Sequence, residues 1–225
     1  RHAYVAGRER VVHYDSPYGE QRSSRVPLPS GPVYLEIKKN PVRLHGAVIG
    51  IIGVINDITQ QVTQERELKE LSFRDKLTGL YNRNYLETRM RRFVRADDFP
   101  ASLIMADCNY LKRVNDTLGH EYGDLMLQRV ARCIQDSIPP SSVAMRVGGD
   151  EFLILCPKCP ADQAQAVIAR IRQRLKQCSD GILPLDVACG SSTAQDDSLN
   201  FDQVCHRADR AMYENKKALH RTQVQ

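Results

Sequence analysis

The sequence predicts an α/β protein with an antiparallel-rich central sheet, preceded by a polar helix and a smaller β-sheet segment. Strand-like and helix-like apolar patterns alternate from Arg74 onward, which indicates the α/β domain. Residues 58–73 are rich in Gln, Glu and Thr, whereas residues 1–57 hold 5 of the 11 prolines and two β-like stretches. These shifts in composition divide the chain into three expected parts, 1–57, 58–73 and 74–225.

The composition is that of a globular protein. The chain has 225 residues, of which 42% are apolar and 26% charged, enough for one large domain with a smaller companion. The 13 glycines exclude a collagen-like chain, the seven cysteines are too few for a disulfide scaffold, and the apolar fraction excludes disorder. The formal net charge of +5 does not separate a protein that handles anionic small molecules from one that binds nucleic acid.

The cysteines and apolar runs bear on location. Seven cysteines is an odd number, most lie in apolar runs and no secretory signal precedes them, which predicts reduced thiols in a cytoplasmic protein. The longest apolar run, residues 47–55, is shorter than the roughly 20 residues that span a bilayer, so we expect no membrane contact in this part of the protein. Because the chain begins at Arg1 rather than Met, we expect a fragment, with room for a membrane anchor upstream.

The first part of the chain is predicted to contain an antiparallel sheet. Strands are expected at residues 33–38 and 48–55, joined by a turn near His45-Gly46.

A polar helix is predicted over residues 58–73, with Asp57 or Thr59 as its cap. Its few apolar residues form a narrow seam, which consists of Ile58, Val62, Leu68 and Leu71. This seam suits either a contact between two helices or a solvated spacer helix.

The α/β part has a buried strand at residues 102–106 that ends in Asp107. Two further strands, at 143–147 and 152–155, flank Gly148-Gly149, a pair favoured in tight hairpins, so a hairpin tip is expected at 148–151. Two helical apolar stripes indicate helices that face the core: Ala164, Val167, Ile168, Ile171 and Leu175, then Val204, Ala208, Ala211 and Met212.

This arrangement makes three carboxylates candidate site residues. Asp107 lies at the end of its strand, and Asp150 and Glu151 lie just past the two glycines. Carboxylates on adjacent strand ends can bind one divalent cation, and ligands that are all oxygen favour Mg²⁺. Such an ion neutralises nucleotide phosphates while a carboxylate takes the proton of an attacking hydroxyl. From spacing alone, a solvent-facing acidic tip is an equal alternative.

Three motifs extend this picture. Residues 148–152 read GGDEF, which is the signature of the GGDEF family of diguanylate cyclases. Residues 75–83, DKLTGLYNR, resemble the first motif of that family, and residues 107–124, DCNYLKRVNDTLGHEYGD, resemble its D-x-D-x-F-K-x-x-N-D-x-x-G-H-x-x-G-D segment. The resemblance covers residues 74 to about 220 and implies an α/β fold like the palm of nucleotide cyclases.

The resemblance also implies roles for individual residues. Mg²⁺ would be held by Asp107, Asp150 and the carbonyl of Cys108, with Asp150 also the base. The catalytic set is then Asp150, Glu151 and Lys112. The implied substrate-binding residues are Asn115, His120 and Asp124 around guanine, and Tyr110, Leu111 and Lys216 near the phosphates.

The sequence departs from the family pattern at three places. Asn109 replaces the second Asp of D-x-D, and Leu111 replaces the Phe. Leu219-His220, followed by Arg221, replaces a Gly-Arg pair of the last helix, so one phosphate contact of the family has no matching residue at its position. We therefore do not count Asn109 as a metal ligand.

A weaker resemblance concerns the first part of the chain. Residues 34–37, the glycines of 46–53 and the D-I-T of Asp57 to Thr59 resemble the end of a PAS sensor domain. This implies that 1–57 is the C-terminal part of such a sensor, that 58–73 is a signalling linker helix and that 74–225 is the cyclase domain. No ligand of the sensor can be named, because the pocket of a PAS domain lies largely in elements that would precede Arg1.

Two other features have simpler interpretations. Cys156 and Cys159 have the C-x-x-C spacing of metal or redox sites, but zinc needs two further ligands, so structural thiols are favoured. The basic set within 170–176 lacks interleaved aromatic residues, which favours a solvated helix face over a nucleic-acid patch.

The two resemblances thus imply a bacterial cyclase that condenses two GTP into 3',5'-cyclic di-GMP with release of two pyrophosphates, under control of a PAS sensor. Mg²⁺ is its expected cofactor, a homodimer its expected active form, and nucleic acid is not an expected partner. The alternative is a catalytically silent GTP-binding module that regulates a partner.

Overall fold

The computed structural model describes residues 20–28, 32–89, 98–196, 198 and 200–222. The chain forms two compact units, one that ends at Glu70 and one that begins at Leu71. No helix in the described part of the chain combines the length and hydropathy that crossing a bilayer requires.

The first unit contains an antiparallel sheet of three strands in the order β1-β2-β3. Its strands are β1 (Glu20–Val26), β2 (Val33–Leu44) and β3 (Ala47–Asp57). The turn between β2 and β3 has positive φ at both His45 (48°) and Gly46 (84°), as the primed turns of hairpins require. The two predicted strands and the turn are confirmed, and both strands are longer than predicted.

Helix α1 (Thr59–Ser72) follows directly. The carboxylate of Asp57 accepts a hydrogen bond from the Thr59 N–H at 2.9 Å, whereas the Thr59 hydroxyl accepts one from the Tyr34 N–H at 2.8 Å. Asp57 therefore caps the helix and Thr59 ties it to β2. No residue of α1 is buried, and the seam residues Leu68 and Leu71 are 67% and 71% exposed.

The second unit contains a five-stranded sheet in the order β4-β6-β7-β5-β8, in which β4 and β6 run parallel and the other described pairs run antiparallel. Its elements in chain order are β4 (Tyr81–Asn82), α2 (Arg83–Arg89), β5 (Ala101–Cys108), α3 (Leu111–Leu118), α4 (His120–Gln135), β6 (Val143–Arg146), β7 (Glu151–Cys156), α5 (Ala161–Cys178), β8 (Val187–Ala194) and α6 (Phe201–Thr222). The predicted antiparallel-rich sheet is confirmed.

Helices cover both faces of this sheet. One core joins Ile104 and Ile154 of the sheet to α4 and α5, and the other joins Leu103 and Leu153 to α6. All the predicted stripe residues of α5 are buried, as are Val204, Ala208 and Met212 of α6, while Ala211 is half-buried. Alternate residues of β5 and β7 thus pack on opposite sides, which fixes the ends of these strands in place.

The hairpin between β6 and β7 differs from the two-residue turn that Gly148-Gly149 suggests. Arg146 pairs with Phe152, and the Val147 N–H donates to the Glu151 carbonyl at 3.0 Å, so three residues form the tip. Neither glycine has a positive φ. A Cβ at Gly148 would lie 2.4 Å from Oε2 of Glu151, so this glycine makes room for that carboxylate.

Candidate active site

The acidic residues of the hairpin meet the end of β5. Asp107 lies opposite Glu151 in the antiparallel register, and the Cys108 N–H donates to the Asp150 carbonyl at 2.9 Å. Asp107 is 7% exposed, and Asp150 and Glu151 are half-buried. The structure thus brings the three predicted carboxylates and Cys108 to one edge of the sheet.

Lys216 reaches this edge from α6. Its Nζ lies 2.7 Å from Oδ1 of Asp107 in a largely buried ion pair. The sequence analysis placed Lys216 near phosphate and did not foresee this contact. The stripe of Val204, Ala208 and Met212 contained the signal, because one further step of four residues places Lys216 on the same helix face.

The carboxylates at this edge repel one another. Burial raises the pKa of Asp107, the ion pair with Lys216 opposes this rise, and the charge of Asp150 adds to it. Burial also raises the pKa of Glu151, as do the charges of Asp150 and Asp107. Asp209 of α6, which the sequence analysis missed, contributes to both shifts. The edge therefore favours a bound cation.

A tight turn carries the chain from β5 into α3. Tyr110 adopts a left-handed conformation with φ of 69°, and α3 begins at Leu111. The N–H groups of the first turn of a helix point out of its N-terminus, where they can donate hydrogen bonds to an anion. Lys112 is exposed beside them. Tyr110, Leu111 and Lys112 thus follow the acidic edge directly, and their contact with phosphate stays a prediction.

Asn109, which replaces the family's second Asp, is bonded to the loop before β8. Its N–H donates to the Asp186 carbonyl at 2.9 Å, and its Nδ2 donates to the Asp186 carboxylate at 2.8 Å. An aspartate at this position would place a second negative charge against Asp186. The Asn109 side chain therefore has a structural partner of its own.

The predicted guanine residues lie on α3 and α4. Asn115 is half-buried on α3, whereas His120 and Asp124 are exposed on the first turns of α4. The Oδ1 atom of Asn115 is buried and has no hydrogen-bond partner among the described residues. A Cβ at Gly123 would lie 1.9 Å from this atom, so Gly123 keeps space for the Asn115 amide. The arrangement leaves a polar atom available for a ligand.

Arg146 holds the hairpin tip in place, a role that sequence reasoning did not identify. Its guanidinium donates to the Gly149 carbonyl at 2.7 Å and to the Asp75 carboxylate at 3.2 Å. Burial alone would raise the pKa of Asp75, but hydrogen bonds from Thr78 and Arg146 outweigh it and lower this pKa. The segment of residues 75–83 therefore supports the hairpin of residues 148–152 through Arg146.

The remaining candidates have structural surroundings. Cys156 and Cys159 are buried and their thiols contact each other. Arg172 donates to Asn215 and Arg174 to Asp136, so these two members of the basic set have partners within the protein. Leu219 is half-buried, and the side chains of residues 220 and 221 lie outside the described part.

Comparisons with known proteins indicate the family of this chain. The family model described as "Diguanylate cyclase, GGDEF domain" matches residues 72–222. A "Diguanylate cyclase" of Vibrio cholerae is 33% identical over 186 residues, which is 80% of this chain and 58% of that protein. The "Probable diguanylate cyclase DgcT" of Escherichia coli K12 is 31% identical over 68% of this chain and 35% of its own length.

A solved structure agrees as well. Diguanylate cyclase SiaD of Pseudomonas aeruginosa, in complex with its activator SiaC, superposes with a TM-score of 0.61 and 32% identity, over 71% of this chain and 64% of SiaD. The chain spans less than two thirds of each of these three proteins. Because the family model covers the whole second unit apart from its ends, the chain belongs to the GGDEF domain family of diguanylate cyclases.

Proposed function

We propose that the protein is a diguanylate cyclase that condenses two GTP into 3',5'-cyclic di-GMP and releases two pyrophosphates. The observation that carries this proposal is the meeting of Asp107 and Asp150 at one sheet edge, beside the N-terminus of α3 and within reach of Lys216. The relatives named diguanylate cyclases support it.

The residues at this edge fit Mg²⁺. The donors are two carboxylates, of Asp107 and Asp150, and the carbonyl of Cys108, all of them oxygen. Among the described residues, no three or more His, Cys, Asp or Glu side chains are arranged to hold a metal ion. Mg²⁺ commonly binds proteins through one or two carboxylates and completes its shell with substrate phosphates and water. When bound, the ion would neutralise charge on the phosphates.

The protein's own residues would carry the proton and orient the nucleotide. Asp150 accepts the proton of the 3'-hydroxyl as that oxygen attacks the α-phosphorus of the other GTP, and pyrophosphate leaves. Glu151 lies beside it as the first residue of β7. Lys112 and the amides of Tyr110 and Leu111 face the phosphates.

Lys216 would have two positions. In the structure it pairs with Asp107, and in the reaction it would leave this pair and contact the phosphates. The lysine would then act as a mobile point charge that leaves Asp107 to the metal.

Guanine would lie against Asn115, His120 and Asp124. A carboxylate accepts from the N–H groups of guanine, while an amide bonds its acceptor. The buried, unpartnered Oδ1 of Asn115 supports this placement as an acceptor for a guanine N–H, while the Nδ2 of the same amide can donate to a guanine acceptor. An unsatisfied buried polar atom costs about 1 to 3 kcal/mol until a partner arrives.

Each chain would bind one GTP, so the reaction needs two chains whose sites face each other. We propose that the α1 seam pairs with its copy in this homodimer. We also propose that 1–57 is the end of a PAS sensor and 58–73 its signalling helix, since Asp57 caps α1 directly after β3. The seven free thiols support a location in the bacterial cytoplasm.

The test is to incubate the purified protein with GTP and MgCl₂ and to quantify both products. We expect one cyclic di-GMP for every two pyrophosphates. GTP binding by calorimetry without any product would instead identify a silent GTP-binding module.

A further inference from the structure

The C-terminal ends of α4 and α5 are joined by two ion pairs. Arg129 of α4 pairs with Asp180, just beyond α5, at 2.6 Å. Arg174 of α5 pairs with Asp136, at the end of α4, at 2.8 Å. Each segment thus contributes one arginine and one aspartate. Position 136 follows 129 in the first segment, whereas their partners, 174 and 180, occur in the reverse order in the second. The two segments therefore lie antiparallel here.

Two cysteines lie between these ion pairs. Cys133 follows Arg129 by one helical turn, and Cys178 follows Arg174 by one turn. In the antiparallel register, Cys133 is therefore opposite Cys178. Both cysteines line one cleft between the helices.

The two thiols differ in exposure. Cys178 is exposed, whereas Cys133 is 3% exposed. A soluble oxidant can therefore reach Cys178 first, and Cys133 is positioned to react second. Burial, together with the neighbouring Cys178 thiol, raises the pKa of Cys133 to about 12, which also argues against Cys133 as the first nucleophile.

We propose that Cys133 and Cys178 form a peroxide-dependent disulfide that links α4 to α5. The Cys178 thiolate attacks one oxygen of hydrogen peroxide, and the O–O bond breaks. Hydroxide departs, and Cys178 becomes a sulfenic acid. The Cys133 sulfur then displaces the sulfenic oxygen, which departs as water with the Cys133 thiol proton. Two thiols lose two electrons, and one peroxide becomes two waters.

The buried pair Cys156 and Cys159 provides an internal comparison. Its thiols contact each other, but they are 0% and 3% exposed, so neither is open to the oxidant. Burial raises the pKa of Cys156 to about 11. Sequence spacing alone favours this C-x-x-C pair as the redox site, whereas exposure favours Cys133 with Cys178.

The disulfide would act as a stabilising link. It closes a loop of 45 residue steps between 133 and 178, which restricts the unfolded chain and so favours the folded state. Cys133 lies roughly 20 Å along α4 from His120, at 1.5 Å per residue. Oxidation should therefore raise thermal stability without changing the GTP site.

The experiment treats the reduced protein with hydrogen peroxide, blocks the remaining thiols with N-ethylmaleimide under denaturing conditions, and measures the intact mass. We expect the blocked thiols to fall from seven to five in the wild type. A tryptic peptide that begins at Cys133 should be linked to one that begins at Gln177. The Tm should rise by about 5 to 10 °C and return to its starting value with dithiothreitol.

Two variants make the test specific. Cys178→Ser should abolish both the link and the rise in Tm, and Cys205→Ser, at a half-buried thiol elsewhere, should preserve both. Three results would overturn the proposal: seven blocked thiols after oxidation, a disulfide that persists in Cys178→Ser, or a link between Cys156 and Cys159. A dimer linked through Cys178 would also overturn it.

Discussion

The two sheets of this protein are both rich in apolar residues but differ in what covers them. In β3, the neighbouring residues Ile51 and Ile52 are 52% and 60% exposed, although consecutive residues of a strand point to opposite faces. In β5 and β7, Ile104 and Ile154 are fully buried, because α4 and α5 cover that face. Apolar strands therefore form a core only where helices cover them.

This difference bears on function. The acidic edge depends on the ends of β5 and β7, whose positions are fixed by packing on both faces. A site of this kind needs such rigid supports. The sheet of the first unit has no comparable cover among the described residues, and its exposed apolar surface is better suited to association with other protein surfaces.

The largest expected effect tests the comparison directly. Ile154→Ala should lower the free energy of unfolding by about 2 to 5 kcal/mol, because it leaves a cavity in a filled core. Ile52→Ala, the same change at an exposed site, should cost less than about 1 kcal/mol. Urea denaturation followed by circular dichroism measures both. Equal losses would show that the β3 face is covered in solution.

The next effect concerns the base at the proposed site. GTP should be preferred over ATP by about 1 to 3 kcal/mol, or roughly 5- to 150-fold in turnover per KM. Asp124→Ala should remove most of this preference, since the edge of adenine presents a different pattern of hydrogen-bond donors and acceptors to that carboxylate. Asp116→Ala, an exposed carboxylate of α3, is the matched control and should keep the preference. Comparable rates with both nucleotides in the wild type would contradict the guanine assignment.

A smaller effect is expected at the α1 seam. Val62→Glu should lower specific activity several-fold at low protein concentration, and the loss should diminish as concentration rises, because mass action restores the dimer. Gln61→Glu adds the same charge at an exposed neighbouring position and should have little effect. A rate per chain that does not depend on protein concentration, in wild type and variant alike, would show that the seam does not assemble the active dimer.

Sequence patterns predicted strands β2, β3, β5, β6 and β7 and the core-facing helices α5 and α6, but not β1, β4, β8 or α4. The stripe of α5 follows from periodicity, which reflects burial directly, whereas β5 follows from a short apolar run and extends one residue past Asp107. The predicted strand ends also indicated that Asp107 lies close to Asp150.

Contacts between distant segments could not be predicted in the same way. The ion pair of Lys216 with Asp107 joins residues 109 positions apart, and the Arg146 contact with Asp75 joins residues 71 apart. Local propensity contains no information about such pairs. The sequence likewise did not reveal that β3 is exposed on both faces, because cover is supplied by other elements.

The smallest expected effect is on stability and its dependence on pH. The pKa of Glu151 is raised in the folded protein, so its ionised form opposes folding at neutral pH. Glu151→Gln should slightly stabilise the ligand-free protein at pH 7. This gain should shrink as pH falls through the raised folded pKa and vanish below the unfolded value, where both states bind the proton. A gain that is constant from pH 4 to pH 7 would show that charge is not its cause.

The central claim is that the acidic edge of the second unit performs the condensation, and Asp150→Asn tests it most directly. The substitution removes charge and basicity from a half-buried hairpin tip without emptying the core. Wild type and variant should be compared for cyclic di-GMP formation at saturating GTP and Mg²⁺, with thermal unfolding as a check on the fold. We predict product from the wild type and none above background from a folded Asp150→Asn. Undiminished turnover in the variant would contradict the account.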